Sequence, residues 1–412
     1  MKSDTQNTQV ALMSLDQCLK CNICLSHCPV AAVTGEFPGP KYTGPQAERF
    51  RTIESGPEMS PMLCNGCGVC TSVCPNGVAI TDIITLAKGE ITNGGSKISV
   101  GQRLLNRPEL IGKVAGVAPS LSNALLHNRA LRTLGEKVFG IDRDAPLPKI
   151  SGRKFGTWFA NHLQPNGPEV AYFQGCSTEY YDPEVGKDTI KLLNMLGMRV
   201  TIPTNLCCSL PMLSSGEIDA AHPKAMALID ELLPAAQLER VIISTSTSCS
   251  MTLRSKYKTY LGMDDESTTT VSSAVIDLCE YLRENHLTQL QGLMSASALK
   301  VLYHGPCQLR SHQVGLPAIT LLNLIPEIDL HLSQADCCGI GGTYGYDVKK
   351  SSISKEISKT LTEQSDHLKP DVIVCDSETC RWSIEKNTGV ETIHPVQLLV
   401  RSMASRFGVL NT

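Results

Sequence analysis

Cys18-Leu-Lys-Cys21-Asn-Ile-Cys24-Leu-Ser-His-Cys28-Pro29 and Cys64-Asn-Gly-Cys67-Gly-Val-Cys70-Thr-Ser-Val-Cys74-Pro75 are two copies of one pattern, C-x2-C-x2-C-x3-C-P. Three cysteines on a tight loop can wrap three corners of an iron–sulfur cubane. The fourth, set just before a chain-breaking proline, points away to a second one. The spacing therefore groups Cys18, Cys21, Cys24 and Cys74 on one [4Fe–4S] cluster and Cys64, Cys67, Cys70 and Cys28 on another. Cross-ligation of this kind holds two clusters close enough for electrons to hop. Structural zinc is the rival, but zinc favours four ligands in two separated pairs, which two triple runs with proline endings fit poorly. His27 lies inside the first run and reads as a bystander, because the cysteines already fill both cubanes.

The chain around these runs has 412 residues, enough for two or three domains. Hydrophobic residues make up 42% and charged residues 19%, the balance of a globular protein. A formal net charge of −3 gives no reason to expect a nucleic-acid partner. The opening MKSDTQNTQVALMSLDQC lacks the charged head and apolar run of a signal peptide. Its 18 cysteines are therefore expected to bind metal in a reducing cytoplasm rather than to form disulfides. A membrane span needs about 20 predominantly apolar residues. The charge-free stretches 114–128, 200–216 and 59–81 are too short or are broken by Pro, Asn, Gly and Cys. Any membrane contact is expected at the surface, on the cytoplasmic face.

Eight cysteines lie between Cys18 and Cys74, and the other ten between Cys176 and Cys380. The second group belongs to an internal repeat. Val170-Ala-Tyr-Phe-Gln-Gly-Cys176 matches Val301-Leu-Tyr-His-Gly-Pro-Cys307, and Leu206-Cys-Cys-Ser209 matches Asp336-Cys-Cys-Gly339. Val241-Ile-Ile-Ser-Thr-Ser-Thr-Ser-Cys249 matches Val372-Ile-Val-Cys-Asp-Ser-Glu-Thr-Cys380. The spacings agree as well: 31 residues from Cys176 to Cys207 against 30 from Cys307 to Cys337, and 41 from Cys208 to Cys249 against 42 from Cys338 to Cys380. Two copies of one module follow. Strand-like runs at 170–173, 241–244, 300–303 and 372–375 each lead towards a cysteine, and helical patterns at 185–196, 225–233 and 352–361 lie between them. Alternating strands and helices predict a parallel sheet with its ligand beyond the carboxyl ends of the strands. The expected fold is α+β overall, in four parts: an N-terminal, helical ferredoxin-type domain (1–95), a helical connector (96–165), and two repeated α/β cysteine-rich modules (166–295 and 296–412).

Adjacent cysteines such as Cys207-Cys208 and Cys337-Cys338 rarely bond to each other, but together they can grip a metal cluster from one turn. Buried core cysteine is the plain alternative, yet it leaves the recurrence of four positions in two modules unexplained. Cys279, within Ile276-Asp-Leu-Cys-Glu-Tyr-Leu282, reads as core on an apolar helical face. Residues 101–140 hold Arg103, Arg107, Lys113, Arg129, Arg132 and Lys137 against Glu109 and Glu136, interleaved with apolar residues such as Leu104, Ile111, Val114, Leu121, Leu134 and Phe139. Such a stretch suits a membrane surface or a quinone pocket. It equally suits helices packed across two domains with a solvated basic face.

The two modules resemble the cysteine-rich (CCG-domain) family found in heterodisulfide reductase, glycolate oxidase and lactate-utilisation iron–sulfur subunits. A ferredoxin domain followed by two such modules resembles most the C-subunit family of anaerobic glycerol-3-phosphate dehydrogenases. That closer likeness rests on Phe37-Pro-Gly-Pro-Lys-Tyr-Thr-Gly-Pro-Gln-Ala-Glu-Arg49, Pro183-Glu-Val-Gly-Lys-Asp-Thr-Ile-Lys-Leu-Leu-Asn194 and Cys337-Cys-Gly-Ile-Gly-Gly-Thr-Tyr-Gly345. The resemblance implies a non-catalytic iron–sulfur electron-transfer subunit. Its electrons would come from sn-glycerol 3-phosphate through flavoprotein dehydrogenase subunits and pass to menaquinone at the membrane surface. It also implies a further cluster in the second module, on Cys307, Cys337, Cys338 and Cys380, with the first module's Cys176, Cys207, Cys208 and Cys249 as a weaker candidate site. Three departures stand out. Ser246 and Ser377 occupy the first position of the family's closing C-x-x-C, and Ser209 replaces the glycine of CCG. Cys375, on the same side of an extended strand as Ser377, is the expected substitute. His304 is expected to be a satisfied half-buried histidine or to tune a cluster. No G-x-G-x-x-G follows a strand, so no flavin is expected in this chain. An iron–sulfur subunit for glycolate or lactate oxidation, and disulfide reduction of the heterodisulfide reductase type, are the alternatives.

Overall fold

Short β-branched and aromatic runs set the frame of the C-terminal region, in a computed structural model that describes residues 12–51, 58–94 and 98–407, with side chains as far as Met403. β1 (Glu169–Phe173), β2 (Arg199–Thr201), β3 (Ile242–Ser244) and β4 (Val275–Asp277) form one sheet in the order β2-β1-β3-β4. β5 (Lys300–Tyr303), β6 (Asp329–Leu332), β7 (Val372–Val374) and β8 (Thr392–Ile393) form a second, in the order β6-β5-β7-β8. Every pairing is parallel. Each sheet runs outward from its first strand, then crosses to that strand's other side. The crossover leaves a crevice at the carboxyl ends of the two central strands, where a parallel sheet accepts a ligand.

The central strands β1, β3, β5 and β7 coincide with the runs read from sequence. β2 and β6 lie at sheet edges and are partly exposed, while β4 and β8 are three and two residues long. None of these four carries a pattern strong enough to stand out. Ile276 and Asp277 end β4, so the helical face expected across 276–282 begins only with the helix Leu278–Asn285. Asp277 caps that helix, its Oδ1 accepting from Cys279 N at 3.0 Å. Cys279 is fully buried, in keeping with a core role.

One apolar core spans both modules. Tyr172, Ile243, Leu278 and Leu282 pack with Val301, Tyr303, Val374 and Leu398. Each fully buried aliphatic or aromatic side chain contributes about 1.5–3 kcal/mol, so the modules form a single folding unit. Arg381, 4% exposed, ties them further: it donates to Asp182 Oδ2 at 2.8 Å and to the Cys375 carbonyl at 3.3 Å.

In the N-terminal domain the two cysteine runs take the same backbone path. Lys20 and Asn22 in the first run, and Gly66 and Gly68 in the second, all sit at positive φ, from 60° to 81°. These left-handed residues turn each loop back on itself, which brings three thiols to one side. Val78, Ile80, Ile83 and Ile84 close beneath them. The domain docks on both modules: buried Lys88 donates to the carbonyls of Cys64 (2.7 Å) and Ser214 (3.0 Å), and Ser311 donates to the carbonyl of Cys67 (3.0 Å).

The connector forms five short helices, Val100–Leu105, Pro108–Ala115, Pro119–His127, Arg129–Phe139 and Phe155–Phe159. The second and third start on a proline, the position where a missing N–H costs nothing. Gly112 lies against the Tyr180 ring, where a Cβ would come within 2.4 Å, so glycine sets how closely the second helix packs. No described helix is long and apolar enough to cross a membrane.

Replacing Arg381 with Met should leave Asp182 unpaired between the modules. Removing one partner of a buried ion pair costs about 3–5 kcal/mol; Asp182 is partly exposed, so a loss of about 2–3 kcal/mol is expected in urea unfolding. A change under about 0.5 kcal/mol, ordinary for a surface substitution, would make Arg381 incidental.

Candidate functional site

The cysteines of the N-terminal domain fall into two groups in space. The thiols crowding Cys24 are those of Cys18, Cys74 and Cys21. Those crowding Cys70 are Cys64, Cys28 and Cys24, and those crowding Cys67 are Cys70, Cys337 and Cys64. Cys74 thus sits with the first run and Cys28 with the second. Burial first, and then repulsion from neighbouring thiolates, pushes Cys24, Cys28, Cys67 and Cys70 up; Cys28 reaches about 11. Such thiols ionise only against a strong positive charge, which bound iron provides. Backbone N–H groups already point at the sulfurs: Gly66 N lies 3.4 Å from Cys64 Sγ and Ala31 N 3.5 Å from Cys28 Sγ.

In the second module three loops converge beyond the carboxyl ends of β5, β6 and β7. Cys307 opens the helix after β5, Cys337 and Cys338 follow β6, and Cys380 lies in the helix after β7. Cys338 Sγ and Cys380 Sγ are 3.0 Å apart, well beyond a disulfide bond of about 2.05 Å. Cys337 accepts from Cys307, which holds its thiol well down; Cys338 and Cys375 do the same for Cys380. Cys375 therefore joins the group as a fifth thiol, buried beneath it. His304 is fully buried beside Cys380 and Cys337, and burial pushes its imidazole down, keeping it neutral. Its Nδ1 meets Ser333 Oγ at 3.3 Å while Nε2 has no partner.

The first module repeats the arrangement with four thiols. Cys207 Sγ lies 3.6 Å from Cys176 Sγ, and Cys208 Sγ 3.3 Å from Cys249 Sγ. Ser244 occupies the position of Cys375. Ser246 serves the helix: its Oγ accepts from Cys249 N at 3.3 Å and donates to Glu378 Oε1 of the second module at 3.2 Å. Ser209 (φ 57°) and Gly339 (φ 89°) share the left-handed turn after the cysteine pair. A Cβ at Gly339 would come within 2.2 Å of the Ser354 carbonyl, a clash the first module does not impose. That contrast accounts for serine in one copy and glycine in the other.

Both thiol groups face one cavity of ≈ 390 Å³ between the modules. Cys176, Cys207, Cys208 and Cys249 line one side, Cys307, Cys338 and Cys380 the other, and Cys67 of the N-terminal domain reaches its edge. The connector roofs it with Leu104, Leu105, Ile111 and Leu126, and Tyr181, Trp382 and Glu378 complete the wall. Sequence reading passed over Glu378, although the repeat marks it: glutamate stands there where the first copy has Thr247. The outer faces of the connector expose Val114, Val117, Leu121, Leu125, Leu134 and Val138, with Arg103, Lys113, Arg129 and Lys137 among them. Two of the six basic residues are otherwise engaged. Arg107 pairs with Glu217 at 2.6 Å, and Arg132 donates to the carbonyls of Asp142 and Ala145.

Two family models match stretches of the chain. One described as a 4Fe-4S dicluster domain matches residues 14–78, and one described as a cysteine-rich domain matches 170–254 and 301–385. The chain is 32% identical over 399 residues to the C-subunit of anaerobic glycerol-3-phosphate dehydrogenase from Escherichia coli K12, covering 95% of this chain and 99% of that one. It is 24% identical to the B-subunit of fumarate reductase (CoM/CoB) from Methanothermobacter marburgensis, covering 96% of this chain and 72% of the other. Against a probable glycolate oxidase iron–sulfur subunit of Bacillus subtilis it is 26% identical, covering 79% of each.

Gly339→Ala should cost about 2 kcal/mol or more from left-handed strain and the backbone clash, and should lower the iron content of the purified protein. Ser209→Gly should leave both within error. Equal behaviour of the two variants would mean that the turn does not govern the cysteine pair.

Proposed function

The chain belongs to the C-subunit family of anaerobic glycerol-3-phosphate dehydrogenases, and from that premise we propose that it is the electron-transfer subunit of such a complex, receiving electrons from flavoprotein dehydrogenase subunits and delivering them to menaquinone at the membrane. Cys18, Cys21, Cys24 and Cys74 hold one [4Fe–4S] cluster, and Cys28, Cys64, Cys67 and Cys70 a second. Cys307, Cys337, Cys338 and Cys380 hold a third, with Cys375 as a reserve ligand, and Cys176, Cys207, Cys208 and Cys249 hold a fourth. The donor sets fit: sixteen of these thiols converge in fours, without disulfide bonds. When bound, iron–sulfur clusters supply single-electron transfer.

The observation that carries the reading is the cavity. Thiols of both modules line its floor, connector helices form its roof, and the same helices turn bare apolar residues outward. An apolar ring could enter there from a lipid surface. Exposed Arg103, Lys113, Arg129 and Lys137 suit anionic headgroups, each worth about 1 kcal/mol near such a surface. Oxidising an alcohol carbon takes two electrons, whereas a cluster passes one at a time, so a flavoprotein donor is required.

A second reading has one observation in its favour. Five thiols gather in the second module and three of them, Cys307, Cys338 and Cys380, line the cavity, as disulfide reduction of the heterodisulfide reductase type would need.

With the flavin subunits and glycerol 3-phosphate present, the clusters should reduce, and a menaquinone analogue should reoxidise them. The isolated chain should oxidise no substrate. Reduction by lactate or glycolate through a native partner, but not by glycerol 3-phosphate, would move the chain to the neighbouring subfamily. Vesicles containing anionic lipid should bind the holoprotein and release it in high salt. Reversing Arg103, Lys113, Arg129 and Lys137 to Glu should weaken that binding at least tenfold, and unchanged binding would remove the connector from the membrane contact.

A further inference from the structure

Behind the two thiol groups, at the seam between the modules, lies a third cluster of polar side chains that the electron-transfer reading does not use. Asp277 ends β4, Cys279 follows in the first turn of the next helix, and Asp376 follows β7. One ligand atom from each lies within 4.8 Å of the other two. The three are 2%, 0% and 0% exposed. Asp277 Oδ1 accepts from Cys279 N, and Asp376 Oδ2 accepts from Tyr303 Oη at 2.7 Å. The other oxygen of each carboxylate, Asp277 Oδ2 and Asp376 Oδ1, has no hydrogen-bond partner. The nearby guanidinium groups are committed elsewhere, Arg254 to Glu280 and Arg381 to Asp182. Each carboxylate is thus buried with one oxygen unmet and no counter-charge committed to it, which is costly while it stays ionised.

The internal repeat shows that the fold itself does not ask for this arrangement. β4 and β8 pair with β3 and β7 in the same register, so His394 stands where Asp277 does. By the same count Thr245 stands at the position of Asp376 and Val396 at that of Cys279. There the matching tyrosine, Tyr172, bonds to Thr245 Oγ1 at 2.9 Å, and His394 Nδ1 accepts from Val396 N at 3.1 Å. One half of the molecule fills the place with a hydroxyl, an imidazole and an aliphatic side chain. The other fills it with two carboxylates and a thiol.

We propose that Asp277, Cys279 and Asp376 bind one divalent ion of the zinc class, which bolts the first module to the second. A thiolate beside two carboxylates is a donor set zinc accepts. It is a poor one for calcium or magnesium, which take oxygen ligands only. The ion neutralises the carboxylates and engages both orphaned oxygens. The site is separate from the iron–sulfur ligands: the Cys375 thiol turns to Cys380, whereas Asp376 turns to Tyr303 and Cys279. It stands or falls independently of the quinone reading.

The test uses the anaerobically purified holoprotein, washed with EDTA, with zinc and iron measured together by mass spectrometry. About one zinc per chain is expected over and above the iron. X-ray absorption at the zinc edge should find one sulfur at about 2.3 Å and oxygens at about 2.0–2.2 Å. The variant Asp277→His/Cys279→Val/Asp376→Thr copies the residues of the other half. It should lose the zinc with iron content and cluster absorption unchanged. Absence of zinc from the wild type would overturn the proposal and leave the carboxylates neutralised by protons. So would zinc retained in the triple variant, or a first shell of sulfur alone. Should the triple variant not fold, the absorption spectrum of the wild type decides alone.

Discussion

Sixteen buried or half-buried thiols in this chain are packed against their own kind, and the rest of the structure follows from that crowding. Thiols brought to 3.0–3.6 Å repel one another once ionised and lose hydration when buried. Held as thiolates, they are stable only around a multivalent positive charge. Each element of the fold can be read as a way of delivering sulfur to that charge. The ferredoxin-type loops do it with paired left-handed residues. The modules do it with parallel sheets, whose crossover leaves three loops meeting at one edge.

The two modules share one plan and differ where the molecule needs them to differ. The second module has Cys375 where the first has Ser244, Gly339 where it has Ser209, and Glu378 where it has Thr247. Each difference enriches the second module, which is also the one whose cysteines touch the N-terminal domain: Cys67 packs on Cys307, and Cys28 lies in one cluster with Cys337 and Tyr344. An electron entering through the N-terminal domain would thus meet the second module first, with the shared cavity leading to the first. The shared core and the Arg381–Asp182 pair keep this geometry fixed.

Much of this was legible in the sequence because it is written in spacing. The ferredoxin runs, the repeat and the four central strands all announce themselves by fixed intervals between chemically distinctive residues. Features set by tertiary contact were not. β2, β4, β6 and β8 are too short for a period to show. Arg107 and Arg132 looked like surface charge until Glu217 and the carbonyls of Asp142 and Ala145 were found beside them. Ser246 stood at a ligand position of the family, yet it caps a helix and reaches across to Glu378. The cluster of Asp277, Cys279 and Asp376 joins residues nearly a hundred positions apart, and no interval in the chain links them.

The central claim is that the two cysteine-rich modules each hold an iron–sulfur cluster facing a common cavity. Iron content of the anaerobically purified protein tests it most directly, with Cys207→Ser/Cys208→Ser and Cys337→Ser/Cys338→Ser measured beside the wild type. Each double variant should lose about four irons while the roughly eight held by the N-terminal domain remain. Iron content equal to that of the wild type in both variants would return all four cysteines to the hydrophobic core and contradict the account.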